Sequence, residues 1–502
     1  MGGAQAADLP VKAKPVEYVR ICSLYGAGFF YIPGTDTCIK LGGYLRIDTT
    51  FNGQIYDQPA WNGDIGQHNR YADYFAARSR MALTVDTRTA TEYGVVRTFM
   101  QGDFQFSTLG NSTFNPNSLA TNLGNNPNLL DTPGGGYVAV EFVFIQFAGF
   151  TFGKSASAYA TPWHGYPGNN SSYLLGGHTT VTGVNNIQYS AQFGNGVSGT
   201  IGLDDPTVFN RTAIFNLFTG LPATGSGITG NAYGGVHAPD VVGNIRIDQA
   251  WGLFQISGAG HLVNASYNNL TAATAQPNAF SEISGHPSDK WGGSVMAALN
   301  IKNIPTGAGD DIKIDASFAK GDTKNVIAAD ATSPSFLMFG GSSIGYQSVG
   351  FGATTDAVYL PAFAGGDGSL HLTTAYGVRG AFNHNWDPYW SSSLFGSFSA
   401  VRYDGTAKVF FCNAFTAATG GLAAKSANYS CNPDFNVSQL GAITRWTPVT
   451  NLTFSAEFMW MHLDQNFTGT TIETPPAPKP AAVYQFKNQD AYSLNVRVQR
   501  NF

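Results

Sequence analysis

The chain has 502 residues, a net charge of −5 and a pI near 6.0, a balance that leaves no basic footprint for nucleic acid. Charged residues make up only 12% of it, aromatics reach 13%, and there are 60 glycines. That composition suits many tight turns and a surface that is not solvated by ions. No uninterrupted apolar run reaches the roughly 18 residues of a membrane-spanning helix, so a membrane form must be a closed β-barrel.

The start, MGGAQAADLP, carries a small-x-small pattern at Ala4-Gln5-Ala6 and reads as the remnant of an export signal or a replaced start over 1–6. Residues 7–38 are expected to form a periplasmic segment and 39–502 the barrel. Four cysteines permit three pairings. The simplest is local, Cys22 with Cys38 and Cys412 with Cys431, in keeping with an oxidising compartment.

From residue 39 onward, alternating segments of about ten residues recur, joined in turn by a short link and a long one. IKLGGYLRIDTTF sets Leu41, Leu45, Ile47 and Phe51 against Arg46 and Asp48, and YFAARSRMALTVDT sets Met81, Leu83 and Val85 against Arg78, Arg80 and Asp86. EYGVVRTFMQGDF follows a short turn, and the Asn/Pro-rich stretch 111–130 is too full of breakers for helix. YVAVEFVFIQF and GFTFGK meet at Ala148-Gly149, and NIQYSAQF and VSGTIGLDD at Gly194-Asn195-Gly196, a strong hairpin signal. VVGNIRIDQ pairs with WGLFQISGAGHL, WGGSVMAALNIK with DIKIDASFAKG, TTAYGVRGAFNHN with WSSSLFGSFSAVRY, and NVSQLGAITRW with LTFSAEFMWMHL. PPAPKPAA then stiffens the last long loop before the terminal strand AYSLNVRVQRNF.

About sixteen strands result, with short turns on one side and long loops on the other. This predicts an all-β transmembrane antiparallel barrel with short periplasmic turns, long extracellular loops and the third loop folded into the pore. Nothing in the spacing repeats as a propeller or solenoid would. A strand ending on Phe502, with Tyr492, Leu494, Val496 and Val498 on one parity, resembles the assembly signal of a bacterial outer-membrane barrel.

Several segments carry a more specific likeness. VEYVRICSLYGAGFFYIPGTDTCIKLGGYLRID, IQFAGFTFGKS, PDVVGNIRIDQAWG, NHNWDP and RVQRNF resemble alpha-proteobacterial porins of the rhizobial and Brucella type. The resemblance implies a sixteen-stranded porin of the bacterial outer membrane. It also implies a homotrimer that passes small hydrophilic solutes and ions by passive diffusion, among outer-membrane lipid and lipopolysaccharide, after insertion by the β-barrel assembly machinery. No cofactor and no catalysis are expected, since the nine histidines are scattered with no nucleophile elbow or metal-type pairing.

A pore needs a narrow point with fixed charge. The third long connection, from Ser155 to about Val184, is assigned as the constriction loop. It holds Tyr159, Trp163, His164, Tyr166, Tyr173 and His178 but no Asp or Glu. Its aromatics either stack on sugars, as in a substrate-selective channel, or pack the loop against the wall. Opposite it, Arg46, Arg78, Arg80 and Arg97, with Arg379, Arg445 and Arg497 on later strands, fall on the polar parity, since an Arg facing lipid at mid-depth costs about 2–4 kcal/mol. These either form a basic wall favouring anions or pair with Asp48, Asp86, Asp103 and Glu141 as scaffolding. A barrel plugged by the connection from about Gly321 to Leu370 is the remaining alternative. A trimer contact is expected through Leu41, Leu45, Tyr492 and Leu494.

Overall fold

Sixteen long strands close on themselves in the computed structural model, which describes residues 20–52, 68–70, 74–107, 137–172, 174–207, 210–219, 231–271, 275–328, 334–475 and 479–502. The start at 1–6, Tyr173 and the stretch 111–130 lie outside the described residues. In chain order the strands are β1 (Thr37–Phe51), β2 (Phe75–Thr91), β3 (Gly94–Ser107), β4 (Tyr137–Phe147), β5 (Phe150–Ser155), β6 (Val184–Gly194), β7 (Val197–Asp204) and β8 (Asp240–Gln249). They continue with β9 (Gly252–Val263), β10 (Lys290–Lys302), β11 (Asp311–Lys320), β12 (Thr374–Asn385), β13 (Trp390–Arg402), β14 (Phe435–Val449), β15 (Leu452–Gln465) and β16 (Gln489–Asn501). Each pairs antiparallel with its neighbour, and β16 returns to β1 from Tyr44↔Asn501 to Phe51↔Leu494.

Closure is completed by the final residue. Phe502 donates its amide to the Gly43 carbonyl at 3.1 Å and accepts the Gly43 amide at 3.2 Å. Gly43 has φ +150°, and a Cβ there would sit 1.9 Å from the Ala82 carbonyl oxygen, so only glycine fits this seam.

The alternation is inverted relative to a soluble sheet. On β16 the outward Tyr492, Leu494 and Val496 are 53%, 40% and 41% exposed, while the inward Ser493, Asn495 and Arg497 are nearly covered. The apolar face is therefore the outer one, as a barrel solvated by hydrocarbon requires. Leu41 and Leu45 share that outer face with Tyr492 and Leu494. At the short-turn end Asn195 and Gly196 both have positive φ (50° and 74°), the signature of a type I′ hairpin. Trp251, Trp386 and Tyr389 stand exposed at the same end, and Trp390 stacks on Trp446 at 5.9 Å, as an interfacial aromatic girdle does.

The apolar core sits at the other end, inside the mouth. Strands Phe336–Gly340 and Gln347–Gly352 of the sixth long loop join Thr470–Glu473 and Ala482–Phe486 of the eighth in a second, four-stranded sheet. Against it lies the one long helix among the described residues, α1 (Gly405–Ala418), in the seventh loop. Asp404 caps it, accepting the Ala407 amide at 2.7 Å, and Ala407, Phe411 and Phe415, four apart on one face, are buried against Phe351, Phe467 and Phe486. The strand alternation of the sequence leads to no expectation of a helix there.

Both disulfides join the local pairs: Cys22–Cys38 at the turn end beside the start of β1, and Cys412–Cys431 from α1 to the return segment of the same loop. Replacing Cys412 and Cys431 by serine is expected to leave the heat-modifiable gel mobility of the barrel unchanged. Opening that 19-residue separation should weaken the loop core by about 3 kcal/mol, so limited proteolysis should cut within 405–434 only in the variant.

Candidate functional site

The connection between β5 and β6 is rich in Gly, Pro and Asn, so its backbone groups need partners from outside the loop. Those partners are side chains on the inward parity of seven strands, among them Gln188 of β6 on the Ala156 carbonyl (3.3 Å). On one side Asn244 and Arg246 of β8 donate to the carbonyls of Ala158 (2.6 Å) and Pro162 (3.3 Å), and Gln255 of β9 donates to that of Ala160 (2.8 Å). Farther along, Asn383 of β12 donates to Pro167 O (3.0 Å), and Gln439 of β14 accepts the Leu175 amide (2.7 Å).

The tightest contacts lie at residues 168–171. Arg445 of β14 donates to the Gly168 carbonyl and Arg497 of β16 to the Asn170 carbonyl. Glu457 of β15 accepts the Asn170 amide at 2.5 Å, the Ser171 amide and the Ser171 hydroxyl. Charged side chains meeting backbone dipoles of the matching sign hold a segment more firmly than neutral pairs do. Beyond it, Gly176 exchanges two backbone bonds with Ala328 of the sixth loop, and His178 Nε2 lies 3.2 Å from Asn210 Oδ1 of the fourth.

The aromatics of the loop divide. Tyr159 (1% exposed) and Trp163 (6%) are buried against Val242, Met296 and Ala298 of the wall, while His164 is exposed and Tyr166 half-buried. A cavity of about 330 Å³ opens between residues 156–164 and Gln188, Ser190, Thr200, Asn244 and Arg246.

The predicted arginines occupy the inward face, and strand register lines several of them up. Arg445, Ser455, Arg497, Asp48 and Arg78 are successive cross-strand partners from β14 round the closure to β2. One residue pair nearer the turns, Gln499, Arg46, Arg80 and Gln105 form a second row. Arg78 binds both oxygens of Asp48 (2.9 and 2.5 Å), which also accepts Arg497, and Arg80 reaches Asp103 at 2.5 Å and Glu141 at 3.7 Å. Arg97 joins Arg88 on Asp86 near the turns. Arg46 donates to Gln499 at 2.8 Å and has no carboxylate partner among the described residues. Arg379 lies on the inward face of β12 but is covered by Gly176 and bound to Asp315.

Neither the amide side chains that take the loop backbone (Asn244, Gln255, Asn383 and Gln439) nor the network behind them stands out in the sequence. In that network Tyr233 of the fourth loop bonds His261 (2.9 Å) and Asp356 of the sixth (2.9 Å), and His261 bonds Asp240 (2.6 Å). Inward parity was the available signal for the wall members, but parity does not say which loop arrives.

With this geometry in view, comparison with known proteins places the chain. The profile of the Porin subfamily matches residues 8–495. The chain belongs to that family. This porin is 33% identical over 262 residues to porin Omp2b of Brucella suis, covering 50% of the chain and 60% of that protein. It is 32% identical over 255 residues to porin Omp2b of Brucella abortus strain 2308, covering 50% and 59%. It thus aligns with rather less than two thirds of the length of the curated relatives it matches. Among solved structures, the outer membrane channel DcaP of Acinetobacter baumannii superposes with a TM-score of 0.56 at 14% identity, covering 94% of this chain and 99% of that one, a likeness of fold. The barrel of this porin is a bacterial outer-membrane one, its short turns periplasmic and its long loops outside.

One loop contact titrates. Burial first, and then the Lys324 ammonium, push the His178 imidazole from 6.5 down to about 3. The docked loop therefore holds His178 neutral, whereas a released loop would protonate it near 6.5. Docking is at full strength above that pH and weakens as pH falls from about 6.5 through about 3. Hydrogen exchange of 174–178, corrected for intrinsic rates, should lose protection over this window, and His178→Gln should flatten the dependence.

Proposed function

We propose that this porin forms a water-filled channel for passive diffusion of small hydrophilic solutes and ions, narrowed by the 156–183 loop and leaning towards anions. The observation that carries this reading is the attachment of residues 168–171 to Arg445, Glu457 and Arg497. Those bonds hold the loop against one arc of wall and leave Arg46 and the β1–β2 arginines on the stretch of wall that continues from it. Five guanidiniums, of Arg46, Arg78, Arg80, Arg445 and Arg497, stand among four carboxylates, of Asp48, Asp103, Glu141 and Glu457, on the inward face. Most are therefore paired and serve as scaffold, and the lean towards anions rests on Arg46, which donates to Gln499 and lies over the Tyr44 ring with no carboxylate at salt-bridge distance among the described residues. Burial of Tyr159 and Trp163 favours a general pore over a sugar-selective one, since their rings pack the wall. Passive transport accounts for the polar lumen, and the His–Asp–Tyr network of Tyr233, His261, Asp240 and Asp356 is enclosed and ties loops to wall.

The apolar outer face, with Leu41 and Leu45 towards the turn end of β1 and Tyr492 and Leu494 towards the loop end of the adjoining β16, suits packing of identical subunits into a homotrimer. The rest of that face would meet outer-membrane lipid and lipopolysaccharide, and the terminal strand ending at Phe502 would be read by the β-barrel assembly machinery. The test is the reversal potential in a planar bilayer under a KCl gradient. Wild type should show a modest anion preference that Arg46→Gln moves towards zero, a change that strands no buried carboxylate. A cation preference in wild type, or no response to Arg46→Gln, would discard the anion reading.

A further inference from the structure

We infer that Gly168 and Gly176 set how close the 156–183 loop lies to the barrel wall and thereby set the width of the channel, an inference that rests on reading this loop as the constriction. Both glycines touch the inward face of β12. A Cβ on Gly168 would sit 2.5 Å from Ala381 Cβ and 2.7 Å from Asn383 Oδ1. A Cβ on Gly176 would sit 2.7 Å from both Cδ and Nε of Arg379. Real Cβ atoms do not approach neighbours so closely, and ordinary contact begins near 3.4 Å. Neither glycine has a positive φ, so alanine suits the backbone at both places and only the collision forbids it. Gly165 in the same loop differs: its φ is +70° and its Cβ would meet nothing nearer than 3.9 Å.

The wall resists displacement: Ala381 Cβ is fixed to its strand, and the Arg379 side chain is pinned by burial and by one ion pair. Asn383 is held by bonds to Pro167 O, to Asp311 Oδ1 and from the Ser393 hydroxyl. Arg379 is 1% exposed, with its Nε on Asp315 Oδ2 at 3.0 Å. Both sit on a strand hydrogen-bonded along both edges, to β11 and β13. A side chain at either glycine must therefore move the loop off the wall, and inside a closed barrel off the wall means into the lumen. Packed interiors answer added methyl groups by such shifts. The two contacts are eight residues apart, Gly168 opening the 168–171 attachment and Gly176 following it, so together they fix the standoff of the loop's central stretch.

The experiment is single-channel conductance, with liposome swelling by sugars of increasing size, on Gly168→Ala, Gly176→Ala and Gly235→Ala. Gly235 lies in the fourth loop with nothing within 4 Å of its would-be Cβ, and it serves as the collision-free control. Heat-modifiable gel mobility reports folding of each variant. The expected result is a loss of conductance and a smaller solute cut-off for Gly168→Ala and Gly176→Ala, and wild-type behaviour for Gly235→Ala. Rescue separates steric standoff from a general weakening. Gly176→Ala combined with Arg379→Ser and Asp315→Ser removes the obstacle and its counter-ion together. It should match the Arg379→Ser/Asp315→Ser variant lacking the alanine. Glu457→Gln, which weakens the loop's attachment without touching either glycine, tells the two levels apart. If Glu457→Gln alters conductance while both alanine variants conduct like wild type, the glycine assignment is overturned and the constriction stands. If none of the three alters conductance, the constriction reading falls and the glycine assignment with it.

Discussion

A strand in hydrocarbon has nowhere to place a spare amide or carbonyl except on another strand, and this porin depends throughout on meeting that demand. Fifteen hairpin and loop connections bring sixteen strands side by side, but two edges remain until β16 reaches β1. The seam is finished by the Phe502–Gly43 backbone pair, which needs a residue without a side chain at 43 because Ala82 of the next strand lies directly behind it. Closure then turns the polar parity inward. Every inward side chain must find water, a neighbour or a loop, and the folded-in loop answers to that supply of donors and acceptors.

The apolar surface of such a barrel faces outward and cannot form an ordinary core. The core has moved to the outer mouth, where the sixth, seventh and eighth loops build a small sheet with α1 packed on it. Inward residues at the strand ends there, among them Ala319, Val401, Val437 and Leu463, are small or aliphatic, unlike the charged belt at mid-height. The lumen thus changes character along its axis: an apolar, packed sector under these loops, and a charged belt below it. Cys412–Cys431 braces the packed sector and Cys22–Cys38 the opposite end, each closing a local loop near a rim.

The charged belt shows how many arginines are kept in a confined space. Most are set opposite a carboxylate or a carbonyl by register alone, as Arg78 and Arg497 flank Asp48 across two strand pairs. A buried ion pair broken on one side leaves an uncompensated charge at a cost of about 3–5 kcal/mol. Such residues therefore answer for architecture first and for the field in the lumen second. Arg46 and Arg445 instead bind amide, hydroxyl and carbonyl groups.

Strand number, sidedness, and the inward or outward direction of Arg46, Arg78, Arg80, Arg97, Arg445 and Arg497 were legible in the chain, because a period of two is a local property of the backbone. So were the hairpin at Asn195-Gly196 and the local pairing of the four cysteines. The helix Gly405–Ala418 has its own local signal, an Asp404 cap followed by Ala407, Phe411 and Phe415 at intervals of four. What no local pattern holds is which loop meets which wall. That Glu457 receives residues 170 and 171, that Arg379 disappears beneath Gly176, and that Tyr159 and Trp163 pack rather than face the channel depend on contacts between residues far apart in sequence. The alternation of side chains determined the barrel and its wet interior. Only the folded chain decided the shape of the passage through it, because that shape comes from steric fit between surfaces that meet when the barrel closes.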